Sequence, residues 1–298
     1  MPSREKILLQ QVIAALQEDI GAGDITSLAV TPDSLTGQAE IRAKSDGIIC
    51  GLPLCELTFL KVDPELDFQP LLEDGQPFQA GQRVASVAGR IQSILTAERT
   101  ALNFLMHLSG IATLTHKMVE AAGRDRVKIL DTRKTTPGLR YIEKYAVATG
   151  GGDNHRYGLY DMVLIKDNHI AAVGSIAEAA RRVRDFLSSD KYMQIFHTDP
   201  LACEIEVEVE TAEELKEALD AGIERILLDN RSPEHLREMV RIARDHPNAA
   251  KVTLEASGNV SLNNVAAVAA TGVDYISVGA LTHSAPASDF SLKLVHND

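Results

Sequence analysis

Cations gather in one stretch of an otherwise acidic chain. Between Asp131 and His169 stand Arg133, Lys134, Arg140, His155, Arg156, Lys166 and His169, set around glycine-rich turns (Gly138, Gly150 to Gly152) and beside two apolar runs, Val127 to Leu130 and Met162 to Ile165. The apolar runs read as buried strands, and charges placed at strand ends face a cleft more readily than they fill a core. Solvated loop residues are the plainer alternative, since Lys and Arg are almost never buried unless paired. Three charged strand ends in succession weigh against coincidence, and the pattern fits a site for a polyanion.

Acidic and small residues complete the set. Glu208 and Asp229 follow successive apolar runs and suit either sugar hydroxyls or a magnesium ion, which prefers a few carboxylates plus substrate oxygens to a full protein cage. Glu204, Glu206, Glu208 and Glu210 share one side of an alternating strand. Not all can face a barrel interior filled with apolar layers, and the geometry favours the one near the strand's C-terminal end. Ser257-Gly258-Asn259 and the turn around Gly279 offer main-chain N–H groups that can approach a phosphate, although ordinary turn chemistry explains them equally well.

The bulk numbers agree with a small anionic ligand. The chain has 298 residues and a formal charge of -12, which argues against a nucleic-acid or anionic-membrane surface. Cys50, Cys55 and Cys203 form no CxxC pair and suit neither a disulfide framework nor a zinc site. Met1 to Gly21 alternates apolar residues with charges, as an amphipathic helix capped by Ser3 would, and no apolar run approaches the roughly 20 residues of a membrane span. The expectation is a soluble, cytoplasmic protein.

Elements that would position these residues follow from periodicity. Thr36 to Gly89 reads as short strands joined by tight turns, a separate α+β domain. Ile94 to Leu108 reads as a helix stopped by Gly110, carrying Glu98 and an Arg99 that spacing alone would leave as a solvated side chain. Beyond Gly123, six apolar β-branched runs alternate with helical segments, which predicts a parallel sheet. Closed into a ring it is a TIM-like barrel; an open doubly wound sheet is the alternative, without a GxGxxG to support it. Ser188 to Cys203 interrupts this rhythm and reads as an inserted surface loop in which Pro200 and a solvated His197 lie.

The motifs Glu18-Asp-Ile-Gly-Ala-Gly-Asp-Ile-Thr26, Glu98-Arg-Thr-Ala-Leu-Asn103, Asp131-Thr-Arg-Lys-Thr-Thr-Pro-Gly138, Gly150-Gly-Gly-Asp-Asn-His-Arg156, Ile165-Lys-Asp-Asn-His-Ile170 and Leu227-Leu-Asp-Asn230 resemble those of the quinolinate phosphoribosyltransferases, and the match runs nearly end to end. The resemblance implies a type II phosphoribosyltransferase: an N-terminal α/β sandwich (1–113, joined by the tail 281–298), an incomplete TIM-like α/β barrel (114–280), and a homodimer with a shared active site that leaves room for assembly into hexamers. It implies transfer from phosphoribosyl pyrophosphate to quinolinate with magnesium, giving nicotinate mononucleotide, pyrophosphate and carbon dioxide in NAD biosynthesis. Carried over motif by motif, Thr132, Arg133, Lys134, His155, Arg156 and Lys166 would line the substrate pocket. Glu208 and Asp229 would hold the ribose side and any protein-bound magnesium, and Lys134, Lys166, Glu208 and Asp229 would form the catalytic set. Ser257, Gly258, Asn259 and Gly279 would receive phosphate, and Arg99 would reach quinolinate from the neighbouring subunit. A phosphoribosyltransferase acting on nicotinate or another acidic ring, or a barrel lyase with a Schiff-base lysine, are the rival readings.

Overall fold

The computed structural model describes residues 3–197, 199 and 203–295. Two compact units divide it: Met1–His116 with Thr135–Gly151 and Leu281–Asp298, and Lys117–Lys134 with Gly152–Ala280. The division places the segment Thr135–Gly151 outside the unit that holds the parallel sheet.

The first unit opens with α1 (Arg4–Ile20), whose N-cap Ser3 accepts a hydrogen bond from the Lys6 N–H, and continues with α2 (Ile25–Val30). β1 (Thr36–Ala43), β2 (Gly47–Ile48), α3 (Leu52–Val62), β3 (Asp67–Pro70), β4 (Pro77–Phe78) and β5 (Arg83–Arg90) follow. Short strands between glycines were legible; α3 was not. Its first turn begins at Gly51, which has no side chain to cap it, and the Asp74 carboxylate accepts from the Gly51 and Leu52 N–H groups instead.

α4 (Ile91–Ala122) is far longer than the predicted helix and runs straight through Gly110. That glycine stops nothing. A methyl group there would run into the Pro286 carbonyl oxygen and crowd the Ala287 Cα, so it lets the later chain lie against the helix. α5 (Arg140–Thr149) also belongs to this unit, and so does the last strand of the chain, Phe290–Val295, which pairs antiparallel with β1. The four-stranded sheet has this strand at one edge and β3 at the other, with β1 and β5 between. Alternate residues of it (Ala39, Ile41, Val87, Phe290) bury against Phe59, Ile94, Leu102 and Leu105 of the helices.

The second unit alternates strand and helix: β6 (Lys128–Leu130), β7 (Val163–Ile165), α6 (Asp167–Val173), α7 (Ile176–Leu187), α8 (Asp190–Phe196), β8 (Ile205–Val209), α9 (Ala212–Asp220), β9 (Arg225–Asp229), α10 (Pro233–Arg244), β10 (Thr253–Ser257), α11 (Val265–Ala269) and β11 (Tyr275–Ser277), after which α12 (Ala280–His283) returns the chain to the first unit. All six strands are parallel, in the order β6-β11-β10-β9-β8-β7. β6 and β7 are neighbours in sequence yet stand at opposite edges, so the barrel is incomplete and open between them.

Two expectations need correction here. The segment after Ser188 is not all loop: Ser189 caps α8, and Tyr192 buries its ring against Phe186 and Phe196. His197 follows as the helix C-cap with a left-handed φ of 52°, and Pro200 lies outside the described residues. Nor is the sheet's inner face uniformly apolar. The registers Glu206↔Arg225 and Glu255↔Tyr275 put charged and aromatic side chains on one face, and the Arg225 guanidinium lies 4.6 Å from the centre of the Tyr275 ring.

Candidate active site

The C-terminal ends of the parallel strands carry the polar residues. Lys166 immediately follows β7, where it is the N-cap of α6 and its main-chain N–H donates to His169 Nδ1 at 2.9 Å. Its Nζ donates to Glu208 Oε2 at 2.6 Å, across the β7–β8 pairing. Glu208 is mostly buried and Lys166 about half exposed, so the ammonium is held over the sheet end and not left to swing in solvent. Asp229 ends the adjacent strand. Burial, then the charges of Glu208 and Glu210, push its carboxyl up, while Lys166 and Arg231 pull it the other way. Three carboxylates crowd here against two cations, an arrangement that a further cation relieves.

After β6 the chain turns sharply. Thr132 Oγ1 accepts the Lys134 N–H at 3.0 Å, leaving Lys134 exposed and Arg133 half-buried. Burial, and then the charge of nearby Arg133, lowers the Arg156 pKa. Arg156 donates to the Met162 carbonyl at 3.2 Å and borders a cavity of about 440 Å³ that is lined mainly by Leu159, Met162, Val163 and Val173, with His169 and Arg182.

A second cavity, of about 220 Å³, opens between the ends of β9 and β10 and the first turn of α10. Ser257, Gly258 and Asn259 form one wall, and Asn230, Arg231 and Ser232 the other. Gly258 has a φ of +94°, and even an added Cβ would press on the Asn230 backbone, so only glycine lets these two loops close up. Asn230 and Asn259 are themselves left-handed, at φ 54° and 52°, and Asn259 Nδ2 donates to Asn230 Oδ1. Small residues, two left-handed turns, the start of a helix and one guanidinium form a concavity of a size and polarity that suit a phosphate group. Gly279 follows β11, whose neighbour Val278 donates its N–H to the Leu130 carbonyl.

Not every expected residue shares that setting. The His155 side chain is 7% exposed and its Nε2 faces Glu206 and Glu255 at 3.1 and 3.4 Å, so the imidazole points into the sheet and not toward open space. Arg99 sits exposed on α4 in the first unit. Arg225 and Arg231 escaped notice in the sequence, and Glu206, seen there only as one of four alternating acids, turns out to be buried. An arginine at the start of a strand, in register with Glu206 on one neighbouring strand and within reach of Glu255, two residues past its register partner, on the other, is the signal for Arg225, and it is visible only once the strand order is known.

An open parallel barrel with cations and carboxylates at its strand ends and a phosphate-sized notch beside them defines an α/β enzyme acting on anionic, phosphorylated substrates. The chain belongs to the quinolinate phosphoribosyltransferase family: the model of that family's N-terminal domain matches residues 24–109 and that of its C-terminal domain residues 111–293. It is 42% identical over 275 residues to a probable nicotinate-nucleotide pyrophosphorylase [carboxylating] of Bacillus subtilis, covering 92% of this chain and 89% of that one. It is 43% identical over 296 residues to the mitochondrial quinolinate phosphoribosyltransferase [decarboxylating] 2b of Nicotiana tabacum, covering 94% and 80%. Among solved structures, the nicotinate-nucleotide pyrophosphorylase of Francisella tularensis superposes with a TM-score of 0.88 at 39% identity, over 99% of this chain and 98% of that one. Human nicotinic acid phosphoribosyltransferase, at 14% identity and a TM-score of 0.59, shares the fold alone.

Proposed function

We propose that this chain is a carboxylating nicotinate-nucleotide pyrophosphorylase that joins quinolinate to the ribosyl carbon of phosphoribosyl pyrophosphate and releases pyrophosphate and carbon dioxide, supplying nicotinate mononucleotide for NAD biosynthesis. The observation that carries this reading is the Lys166–Glu208 pair beside Asp229 at adjacent strand ends, next to the Gly258 notch, in a chain of this family. Quinolinate nitrogen attacks the anomeric carbon as its bond to pyrophosphate breaks, and positive charge grows on the ribose. Glu208 and Asp229 are suited to face that charge, and Arg133, Lys134 and Arg156 to neutralise the carboxylates and phosphates. The ribosylated pyridinium then accepts the electron pair left when carbon dioxide departs, and the ring carbon takes a proton from water. Lys166 is engaged by the Glu208 carboxylate, which disfavours a Schiff-base lyase.

Glu208 and Asp229, with the negative charge that Glu208 and Glu210 concentrate on Asp229, are fit to hold magnesium alongside pyrophosphate oxygens. When bound, the ion withdraws charge from the leaving group. Ser257, Gly258, Asn259 and Gly279 would receive the phosphate. The working unit in this reading is a homodimer in which Arg99 enters the partner's site. Ile25, Leu28 and Val30 of α2, 63–83% exposed in the single chain, support a covered face there. A reducing, cytoplasmic setting fits the three free cysteines.

Incubation with quinolinate, phosphoribosyl pyrophosphate and Mg2+ should yield nicotinate mononucleotide and carbon dioxide in equal amounts, by chromatography and labelled-carboxyl release. Absence of both products would end the proposal. Nicotinate should be a very poor acceptor, because a pocket with cations arranged for two carboxylates leaves one charge unpaired when the second is missing; rejection by about 10⁴ to 10⁵ is in reach of such sites. A kcat/KM for nicotinate within tenfold of that for quinolinate would favour an enzyme for the monoacid.

A further inference from the structure

Four charged or polar side chains meet inside the parallel sheet, away from its C-terminal rim. Arg225, at the start of β9, reaches Glu206 Oε1 with Nε at 3.3 Å and Glu255 Oε2 with Nη2 at 2.8 Å, so one guanidinium fork spans carboxylates from the strands on either side. The remaining oxygens, Glu206 Oε2 and Glu255 Oε1, face His155 Nε2. Both glutamates are fully buried, and Arg225 is 12% exposed. A histidine and two acids within reach of one another resemble a metal site, but the Arg225 guanidinium already sets one positive charge on both carboxylates, and a bound cation would stand beside it.

The other side of the imidazole points to what the cluster does. His155 Nδ1 accepts the Arg156 main-chain N–H at 2.7 Å, and the His155 main-chain N–H donates to Asp131 Oδ1 at 2.9 Å. Burial pulls the imidazole pKa down, yet the two carboxylates outweigh it and hold the value up at about 9, whereas the N–H aimed at Nδ1 needs a lone pair there. A proton on Nε2 serves both sides. The ring is thus clamped between two acids and the backbone of the next residue.

We propose that Glu206, Glu255 and Arg225 are positioning residues, which orient His155 and through it the backbone and guanidinium of Arg156 toward the acidic ring. This rests on the function proposed above. The buried acids touch no substrate in this scheme; their work is to fix a turn whose small displacement would move a charged contact out of line.

The test compares Glu206→Gln and Glu255→Gln, each alone and combined with His155→Gln, by steady-state kinetics, thermal melting and the 15N shift of the Arg156 amide. Each single variant is expected to raise the quinolinate KM about tenfold to a hundredfold, to leave the phosphoribosyl pyrophosphate KM within about twofold, and to move the Arg156 amide in the same direction as His155→Gln does. Adding either glutamate change to His155→Gln should change the quinolinate KM little further, because both act through one ring. Multiplying effects, or both KM values drifting together with the melting temperature, would overturn the proposal. A wild-type protein that turns over no quinolinate would defeat the functional reading instead, and the Arg156 amide shift, which needs no substrate, would still decide the positioning. Should one variant fail to fold, the other glutamate carries the same comparison.

Discussion

A carboxylate takes its chemistry from what surrounds it, and the acids of this chain divide on that basis. Asp229 is pushed up by burial and by two like-charged neighbours, which leaves it disposed to take on a cation. Asp63 is the opposite case: buried on the first unit, it accepts from Arg90 Nε at 2.9 Å, Ser93 Oγ at 2.8 Å and the Glu65 N–H at 3.1 Å. The Arg90 hydrogen bond above all, against some desolvation, holds it down at about 2. A carboxyl whose folded pKa lies below its unfolded value stabilises the fold above the unfolded value, near pH 3.9, and that contribution fades as pH falls toward 2. Asp63→Asn should therefore lower the melting temperature at pH 7 and narrow the gap between wild type and variant as pH is taken from about 4 to about 2. Parallel melting curves at every pH would show that Asp63 holds no such charge. At this scale the sequence was only partly legible. Lys166, Glu208 and Asp229 could be placed because they follow apolar runs, whereas the inward turn of His155 depends on two acids 51 and 100 residues further on, and no local pattern encodes that.

Elements were legible where periodicity speaks and illegible where tertiary contact overrides a local signal. Each of the six parallel strands coincides with an apolar run, five of them to within one residue at either end and β10 running three residues past its own, because strands buried on a barrel must be apolar on at least one face. Gly110 misled because glycine so often ends a helix; here it is spent on close packing against Pro286. The two effects can be weighed. Alanine is worth up to about 1 kcal/mol more than glycine in a helix interior, but the added methyl meets main-chain atoms of Pro286 and Ala287, which cannot swing aside as a side-chain tip would. Overpacking costs about 1 to 3 kcal/mol, so Gly110→Ala should destabilise on balance, and thermal or denaturant unfolding will read it. A variant as stable as wild type or more so would mean that the 286–287 segment gives way freely. α8 escaped for a related reason: its aromatic residues look like loop decoration until Phe186, on the preceding helix, is seen to pack against Tyr192 and Phe196.

The whole molecule raises the question of how many chains make one site. Arg99 lies on the exposed face of α4 in one compact unit, while Lys166, Glu208 and Asp229 lie in the other. The family resemblance assigns Arg99 to the neighbouring chain's substrate, and the apolar face of α2 argues that the single chain leaves surface to be covered. If the site is shared, Arg99→Ala and Lys166→Ala are each inactive alone but repair one another when mixed. In a two-fold dimer built from one chain of each kind, one site collects both lesions and the other collects neither. With equal amounts and free exchange, half of the dimers are hybrids with one intact site each, so activity should return to about a quarter of the wild-type value. Exchange can be verified with differently tagged chains, so that a negative result is informative. Hybrids that form but stay inactive would show that each chain carries its own Arg99 to its own Lys166, and the dimer would then be a matter of stability and not of catalysis.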